Sequence, residues 1–506
     1  MFMEANLGGG TSHVVLDDWR LLDRFLILGS ESSFYAPAAA LENLACDALE
    51  RLLAKPEQWP AVLDRIINVS VAGRAKQQTA GLFALATCIR KHPDLRRAAM
   101  DMALIKVCRN LSTLAELLTM VKPMSWGRHT RKALGRWLTS KPPLAMAYQV
   151  TKYTNRSGWT GKDLLRMVHP SPKEHASYAP LWTWIAKEGE LDAHDLDLDL
   201  EDKIIVAYLN GASRLRQTDD VSEALTLIKQ YGFGWEHVGK QVLLKDACIW
   251  EAFLEGGMPS HALIRNVRRM LAAHVPAAKL IPAFQDSDRF RAARVHPLQL
   301  LQLYKVLREG CDSDLLIAAV EAAFYRSFET VEPTGARLLV AVDVSGSMDC
   351  PCVGMAGLTA RDAAAALAMV VARRETGAKL VAFSESLTDF LIGPEDGLQA
   401  VYAQMDQMNF SFTDCSAPIV FALEQRIAVD AFVIITDNET NFNIISPSEA
   451  LKRYRQAMGI DAKLIVLATS ATRFSIADPE DGGMLDIAGM DAGVFGIVRD
   501  FITNRV

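Results

Sequence analysis

The last third of the chain alternates short, almost wholly apolar stretches with amphipathic ones, and this alternation restricts the fold more than any other feature. The apolar stretches RLLVAVDV, AKLVAFS, AFVIITD and AKLIVLAT begin at residues 337, 378, 431 and 462, with helical spacing between them. Strands that are apolar on both faces are typical of parallel sheets covered by helices on both sides. The sequence therefore predicts a Rossmann-like α/β domain over 333–506, with ligand sites at the carboxyl ends of its strands.

The preceding part of the chain has a different pattern. From Leu21 to Phe328 apolar residues recur at spacings of three and four, and the connectors carry Pro, Gly or capping residues. Many short helices without strand-like alternation predict a helical-repeat solenoid, in which each repeat buries its apolar face on its neighbours. We therefore predict an α-helical domain over 1–332 and a domain boundary near Pro333.

Two local signals predict helix boundaries within this region. Thr113 and Glu116 have the spacing of a capping box, which predicts a break between two short helices near Asn110. The pair Pro259–Ser260 predicts the start of another helix, whose apolar stripe begins at Leu263.

Composition excludes several classes of protein. Hydrophobic residues make up 50% of the chain and charged residues 23%, which are ordinary values for a folded protein and exclude a disordered or collagen-like chain. The longest purely apolar stretch, residues 363–372, is too short to span a bilayer, and the N-terminus lacks the pattern of a secretory signal. We therefore expect no membrane association and a cytoplasmic location.

The net charge of −6 conceals a strong asymmetry along the chain. Residues 51–180 contain 22 Lys and Arg against 7 Asp and Glu, so this segment is strongly basic and the remainder is acidic. A basic segment in an acidic protein is typical of a phosphate-binding surface. The alternative is that these side chains only solvate helix faces.

Oxygen-bearing side chains cluster after the predicted strands. Asp343, Ser345 and Ser347 alternate directly after the first strand, Asp437 ends the strand AFVIITD, and Thr413 precedes a predicted helix. Carboxylate and hydroxyl oxygens without Cys or His favour a hard divalent cation, with Mg²⁺ expected and Mn²⁺ or Ca²⁺ as alternatives. This set resembles the metal-ion-dependent adhesion site of von Willebrand factor A domains, in which an acidic residue of a protein ligand completes the coordination.

The same region contains residues of two other chemistries, hydrolysis by metal-activated water and thiol chemistry. Carboxylates beside a metal can activate water, but the motif contains no His, Cys or Lys that would act as a conventional base or nucleophile, so we expect no enzymatic activity. Cys350 and Cys352 can be interpreted as a redox pair or a soft-metal clip. Because a disulfide between residues two apart is strained, two free thiols are the favoured interpretation.

Several strings along the whole chain resemble the Ro autoantigen family of TROVE-domain proteins, including its bacterial members. They are RFLILGSES (24–32), WGRHTRKAL (126–134), TKYTNRSGWTGKDLLRMVHP (151–170), MPSHALIRNVRRM (258–270), ARVHPLQLL (293–301), FYRSFETVEPTG (324–335), TDCSAP (413–418), FVIITDNET (432–440) and FSIADPEDGGMLD (474–486). The strings occur in the same order as in that family.

The resemblance implies a fold and a function. It implies a ring of HEAT-like helical repeats closed by the A domain. It also implies binding of small noncoding Y-like RNA on a basic outer surface, and of single-stranded 3′ ends of misfolded or immature RNA in a central hole. An exoribonuclease is implied as a partner in RNA maturation or decay. The positions that match Y RNA binding in the family are Lys152, Arg156 and His169, with Arg128, Arg131 and Lys132 in the neighbouring helix.

The residue types suit this role. Arg offers a bidentate fork to phosphate and Lys a mobile point charge. Lys152 and Arg156 lie on one face if the segment is helical. His169 precedes Pro170 and is predicted either to bind a phosphate or to cap a helix, and Trp126 and Trp159 either to stack on unpaired bases or to pack in the core.

The sequence is consistent with three functions. The leading prediction is a non-catalytic RNA-binding protein of RNA quality control. The second is a metal-dependent protein-interaction scaffold for which RNA is incidental, and the third is a metal-dependent nuclease. RNA binding that survives EDTA, loss of partner capture in Asp343→Ala, and RNA cleavage that needs Asp437 distinguish the three.

Overall fold

The structure is a computed structural model that describes residues 4–5, 11–12, 14–29, 38–75, 77–122, 126–187, 189, 191, 199–293, 295, 297–329, 331–351, 357–384, 386–408, 413–437, 445–469, 474–478, 480–488 and 492–503. The chain divides into two compact units. The first unit comprises residues 1–58, 68–80 and 284–506, and the second comprises 59–67 and 81–283.

Helices dominate the chain before residue 330, as predicted. They are α1 (Asp18–Leu28), α2 (Ala38–Leu53), α3 (Trp59–Ala72), α4 (Thr79–Lys91), α5 (Pro93–Met102), α6 (Leu104–Val107), α7 (Leu111–Val121), α8 (Arg128–Leu138), α9 (Pro143–Lys152), α10 (Gly161–Val168), α11 (Ala179–Ala186), α12 (Leu200–Gln217), α13 (Val221–Tyr231), α14 (Ala247–Glu255), α15 (Ser260–Ala272), α16 (Ala277–Gln285), α17 (Ser287–Ala292), α18 (Pro297–Gly310) and α19 (Asp314–Arg326). A short 3₁₀ turn at Trp235–His237 also belongs to the second unit.

The predicted break between α6 and α7 is confirmed, but its cap differs from the predicted one. Asn110 is the N-cap of α7, and its side chain accepts a hydrogen bond from the Thr113 amide. The Thr113 hydroxyl in turn accepts a hydrogen bond from the Asn110 amide. Thr113 is therefore the third helical residue and not the cap. Asn is the stronger N-cap residue, which explains why the helix begins three residues earlier than Thr113 and Glu116 suggested.

A six-stranded sheet forms the centre of the first unit, which also contains short strands near the N-terminus. The strands are β1 (Glu4–Ala5), β2 (Thr11–Ser12), β3 (Val14–Val15), β4 (Leu338–Asp343), β5 (Lys379–Phe383), β6 (Leu387–Asp389), β7 (Ala431–Thr436), β8 (Lys463–Ala468), β9 (Phe474–Ser475) and β10 (Met484–Ala488). The sheet order is β10-β8-β7-β4-β5-β6, parallel throughout except for the antiparallel edge strand β6. The sheet is thus mixed, and it differs from the predicted all-parallel sheet because β5 and β6 are joined by a tight reversal without a crossover helix.

Helices cover both faces of this sheet. They are α20 (Ala360–Arg374), α21 (Leu398–Met405), α22 (Ala417–Glu424), α23 (Pro447–Met458) and α24 (Ala492–Ile502). Leu339 and Phe432 pack with Leu451 of α23 in one buried cluster. On the other face, Val340 lines an apolar cavity together with Val498 of α24. The predicted two-sided α/β architecture is confirmed.

The N-terminal helix α1 packs on the edge strand β10. The Arg24 guanidinium donates hydrogen bonds of 2.6 Å to both carboxylate oxygens of Asp486, and the two side chains are only 1% and 3% exposed. Strand β3 pairs with β9 in the same unit. The first 58 residues therefore belong to the compact unit that contains the sheet, while the functional boundary at residue 333 stays a prediction.

Among the residues that the structure describes, no helix has both the length and the apolar character needed to cross a membrane.

Candidate nucleic-acid interface and candidate metal site

The first turns of α8 present three cations to solvent. Arg128, Arg131 and Lys132 are exposed, while Leu134 and Trp137 on the opposite side are buried. Spacings of three and four place the three cations on one face of the helix. Within the described part of the chain, no carboxylate lies within ion-pair distance of them.

The position of these cations in the helix is unfavourable without an external anion. The N-terminus of a helix carries a partial positive charge that favours acidic side chains. The first turn of α8 contains no acidic residue, and Gly127 at the N-cap has no side chain to cap the free amides. Cations and unsatisfied amides together form a ready binding place for phosphate.

Arg156 lies in a tight two-residue turn. Arg156 and Trp159 exchange backbone hydrogen bonds of 3.0 and 2.8 Å, and the central residues Ser157 and Gly158 have φ values of 51° and 78°. Positive φ at both central residues defines a type I′ turn, which Gly tolerates best. Because α9 ends at Lys152, the conditional prediction of a shared helix face for Lys152 and Arg156 is wrong.

An aromatic contact joins the α8 cations to this turn. The Trp126 ring meets the Trp159 ring edge to face, and the Trp159 indole donates a 3.1 Å hydrogen bond to the Thr119 hydroxyl. That hydroxyl in turn donates to the Ser157 carbonyl at 3.2 Å. Both tryptophans are half-buried, so each combines packing with an accessible edge. Base stacking on them stays a prediction.

Lys152 is less accessible than its predicted role suggests. Its ammonium lies 3.3 Å from Glu236 Oε1, and the side chains are 12% and 14% exposed. The ammonium also lies 5.4 Å from the ring centre of Tyr148 and 5.3 Å from that of Tyr153. Burial alone would lower the pKa of Lys152, but the tyrosines and Glu236 outweigh it and raise the pKa, so the side chain is charged.

Tyr153 links Lys152 to Arg156. The Arg156 guanidinium carbon lies 5.3 Å from the centre of the Tyr153 ring, and the Lys152 ammonium lies 5.3 Å from the same centre. Cation–π contacts of this kind hold the long side chains in place without neutralising them. The two cations remain adjacent although no helix carries both.

A polar network of hydrogen bonds fixes the end of α9. The Arg216 guanidinium donates to the Thr151 carbonyl at 2.5 Å and to the Thr154 hydroxyl at 2.9 Å. The Thr151 hydroxyl lies 3.1 Å from His237 Nε2. Burial lowers the pKa of His237 to about 3, so this imidazole is neutral.

Sequence reasoning missed Arg216, Glu236 and His237. They lie 65 to 86 residues from the α9 residues that they contact, with no spacing that could have connected them. Only the basic character of the segment and the family strings pointed to this region.

His169 ends α10. It has left-handed backbone angles, and its amide donates to the Leu165 carbonyl at 2.8 Å. The backbone therefore makes the cap and the imidazole is exposed. Val168, beside it, approaches Gly135 of α8 closely enough that a Cβ there would be 3.3 Å from Val168 Cγ1. The end of α10 thus lies against α8.

The first predicted metal ligands lie together at the carboxyl end of β4. The Ser345 amide donates to Asp343 Oδ1 at 2.9 Å, and the Ser345 and Ser347 hydroxyls are 3.0 Å apart. The Thr436 hydroxyl donates to Asp343 Oδ2 at 2.6 Å. All are buried.

Sheet register brings Thr413 and Asp437 to the same edge. Strand β7 is the parallel neighbour of β4. Asp437 directly follows Thr436, the last residue of β7, whose hydroxyl donates to Asp343. Strand β5 flanks β4 on the other side, and the Asp414 amide donates to the carbonyl of Ser384, directly after β5, at 2.9 Å. Thr413 and Asp437 are each 2% exposed.

The donor set fits a hard cation. Burial raises the pKa of Asp343 to about 6, although hydrogen bonds from Ser345 and Thr436 oppose the rise. Within the described residues, no three His, Cys, Asp or Glu side chains form a group that could hold a metal ion. Carboxylates and hydroxyls that converge in a buried place suit Mg²⁺ better than zinc.

Cys350 is a free thiol whose pKa is raised to about 11, by burial and by the nearby carboxylates of Asp437 and Asp349. The prediction for Cys352 lies outside the described residues.

Two features occur together in this chain: a basic surface on the helices, and an A-domain-like sheet with carboxylates and hydroxyls at one edge. Their combination defines a class of RNA-binding protein. The chain matches the family model of the TROVE domain over residues 8–310 and that of the Ro60 vWA domain over residues 337–502. The chain belongs to the Ro60 family of RNA-binding proteins.

Relatives with that name match almost the whole chain. The RNA-binding protein RO60 of Caenorhabditis elegans is 30% identical over 587 residues, covering 100% of this chain and 90% of the relative. That of Deinococcus radiodurans is 31% identical over 522 residues, covering 99% and 95%. The crystal structure of the Deinococcus radiodurans RO (RSR) protein has a TM-score of 0.72 at 28% identity, covering 97% of this chain and 100% of that one.

These comparisons confirm the family, the helical and α/β fold class and RNA binding. The names of the relatives also agree with a non-catalytic protein, because they describe RNA binding and no enzyme. The individual RNA and metal ligands stay predictions.

Proposed function

We propose that this protein binds small noncoding Y-like RNA through a basic surface formed by Arg128, Arg131, Lys132, Lys152, Arg156 and His169. It also admits single-stranded 3′ ends of misfolded or immature RNA through the central hole that the family resemblance implies. It acts in the cytoplasm in RNA quality control, maturation or decay, with an exoribonuclease as partner.

One observation carries this proposal. The exposed cations at the start of α8 have no carboxylate within ion-pair distance among the described residues, and the Trp126–Trp159 contact places them beside the Arg156 turn. Cations that only keep a surface soluble are stabilised by ion pairs with nearby acidic side chains. Cations grouped at a helix N-terminus are stabilised most by phosphates from outside the protein.

Filter binding tests the proposal. A structured RNA hairpin with a short single-stranded 3′ tail, and the same hairpin without it, are titrated with the protein in Mg²⁺ and in EDTA. We expect binding of both RNAs, tighter binding of the tailed one, no cleavage and little effect of EDTA. Absence of binding would overturn the RNA proposal, and binding only in Mg²⁺ would favour the metal site as the RNA contact.

A second role is supported by the buried edge of the sheet. We propose that Asp343, Ser345, Ser347, Thr413 and Asp437 hold a divalent cation, most simply Mg²⁺. When bound, the cation would supply a Lewis-acidic point for the carboxylate of a protein ligand. The hydroxyl pair of Ser345 and Ser347 at 3.0 Å and the buried Asp343 support this assignment.

Cation binding is tested directly by isothermal titration of the metal-free protein with MgCl₂. Asp343→Asn is expected to abolish the heat of binding and Asp349→Asn, an exposed neighbour, to retain it. Equal binding by both variants would overturn the assignment.

A further inference from the structure

The contact between Lys152 and Glu236 has the chemistry of a phosphate contact. A carboxylate oxygen lies within ion-pair distance of the ammonium, at 3.3 Å, and a phosphate oxygen would pair with the same ammonium. The ammonium also lies 5.4 Å from the ring centre of Tyr148 and 5.3 Å from that of Tyr153. The side of Lys152 that faces an anion is therefore already occupied by an anion of the protein itself.

Glu236 is isolated among cations. Lys152, Arg156 and Arg216 are grouped around the end of α9 through Tyr153, Thr151 and Thr154. In the described part of the chain, Glu236 is the one carboxylate within ion-pair distance of any of these three cations. The group retains a net positive charge, so it still attracts a polyanion.

The backbone holds Glu236 in this position. It lies in the 3₁₀ turn Trp235–His237, whose His237 is buried against Thr151. Gly234 leaves room for the arrangement, since a Cβ there would be 3.2 Å from the Tyr148 hydroxyl and 3.3 Å from Glu236 Oε2. The carboxylate is thus anchored beside the RNA surface while its head group contacts Lys152.

We infer that Glu236 is an internal phosphate mimic that competes with RNA for Lys152 and so determines selectivity. This inference rests on the proposed RNA-binding function. An RNA that also contacts Arg156 and the α8 cations gains enough to displace the carboxylate. An RNA that cannot reach those cations leaves the ion pair closed and binds weakly.

The decisive variant is Glu236→Gln, which keeps the shape of the side chain and removes its charge. We expect tighter binding of the tailed hairpin by more than the roughly 5-fold that an exposed ion pair contributes at most, because the Lys152 and Glu236 side chains are mostly buried. An unstructured oligouridylate should gain more than the hairpin, so that the ratio of the two affinities falls. Glu251→Gln is the matched control, because it removes one carboxylate from the Lys279 ion pair in the same unit.

A double-mutant cycle with Lys152→Gln separates this mechanism from a general gain of positive charge. In the Lys152→Gln background, Glu236→Gln should change RNA affinity no more than Glu251→Gln does. Glu236→Asp, which withdraws the carboxylate by one methylene, should give an intermediate gain and covers the case in which Glu236→Gln does not fold.

Different results overturn the role of Lys152 as an RNA ligand and the role of Glu236 as its competitor. If Lys152→Gln leaves RNA affinity unchanged, Lys152 is no RNA ligand and its part in the proposed function fails. If Lys152→Gln weakens binding but Glu236→Gln matches Glu251→Gln or also weakens it, Glu236 only supports the fold and the inference is overturned.

Discussion

The rings of Trp126 and Trp159 meet edge to face, with centroids 6.5 Å apart and planes at 86°. Edge-to-face pairs contribute about 0.5–1.5 kcal/mol beyond their buried area. The contact holds the start of α8 against the turn that carries Arg156, two segments that lie far apart in the sequence. The cations of the basic surface are therefore brought together before any RNA arrives.

Neutralising the α8 cations should weaken RNA binding without affecting folding. Arg131→Gln combined with Lys132→Gln removes two phosphate contacts, so the salt slope of log affinity should become shallower by about 1.4–1.8. Because both side chains are exposed, the free energy of unfolding should change by less than about 0.5 kcal/mol. Filter binding and urea unfolding measure the two effects. The exposed pair Lys240→Gln and Lys245→Gln is the control, and an equal loss of affinity in it would refute a local contact.

The turn that carries Arg156 depends on glycine. Gly158 has a φ of 78° with nothing within 4 Å of a Cβ, so Gly158→Ala introduces backbone strain and no clash. The left-handed conformation costs Ala roughly 1 kcal/mol, and we expect a lower melting temperature and several-fold weaker RNA binding. Gly310→Ala, in the last turn of α18 and in open space, should leave RNA affinity unchanged and should not lower the melting temperature, because Ala is the better helix former. Normal RNA affinity in Gly158→Ala would show that the turn does not position Arg156.

Divalent cations should stabilise the sheet-containing unit. A ligand at 100 times its Kd stabilises the folded state by about 2.7 kcal/mol, which is measured as a higher melting temperature in MgCl₂ than in EDTA. Asp343→Asn should remove this difference while Asp349→Asn keeps it. A cation effect that persists in Asp343→Asn would contradict the site.

His237 should make stability depend on pH. Burial lowers its pKa from 6.5 to about 3, so below pH 6.5 the unfolded state binds a proton that the folded state does not. The contribution is present above pH 6.5 and is lost as pH falls toward 3, with a loss of about 2 kcal/mol between pH 6.5 and 5 at roughly 1.4 kcal/mol per unit. Urea unfolding at pH 7 and pH 5 measures it. In His237→Gln, the free energy of unfolding should change less between pH 7 and pH 5. An unchanged pH dependence in this variant would show that another group titrates in this range.

The sequence allowed the sheet core and its functional edge to be predicted because both depend on local pattern. Strand β4 is continuously apolar, and Asp343 follows directly at its end. Parallel pairing with β7 then brings Asp437 to the same edge. Strand β10 escaped prediction because it is short and has a charged residue at its centre, Asp486, which is neutralised by Arg24 from the other end of the chain.

The basic surface was predictable in composition but not in geometry. Arg131 and Lys132 could be placed on a helix from the family string WGRHTRKAL. The helix that spacing would have extended from Lys152 to Arg156 ends at Lys152, because Tyr153 already has non-helical backbone angles. The partner of Lys152, Glu236, is a long-range contact that no local rule specifies.

The salt dependence of RNA affinity tests the central claim most directly. If about six phosphates are neutralised, log affinity for the tailed hairpin should fall with log salt at a slope of roughly −4 to −5. Lys152→Gln combined with Arg156→Gln should weaken binding and make the slope shallower by about 1.4–1.8. A flat salt dependence, or a steep one that this double variant leaves unchanged, would contradict RNA binding on this surface.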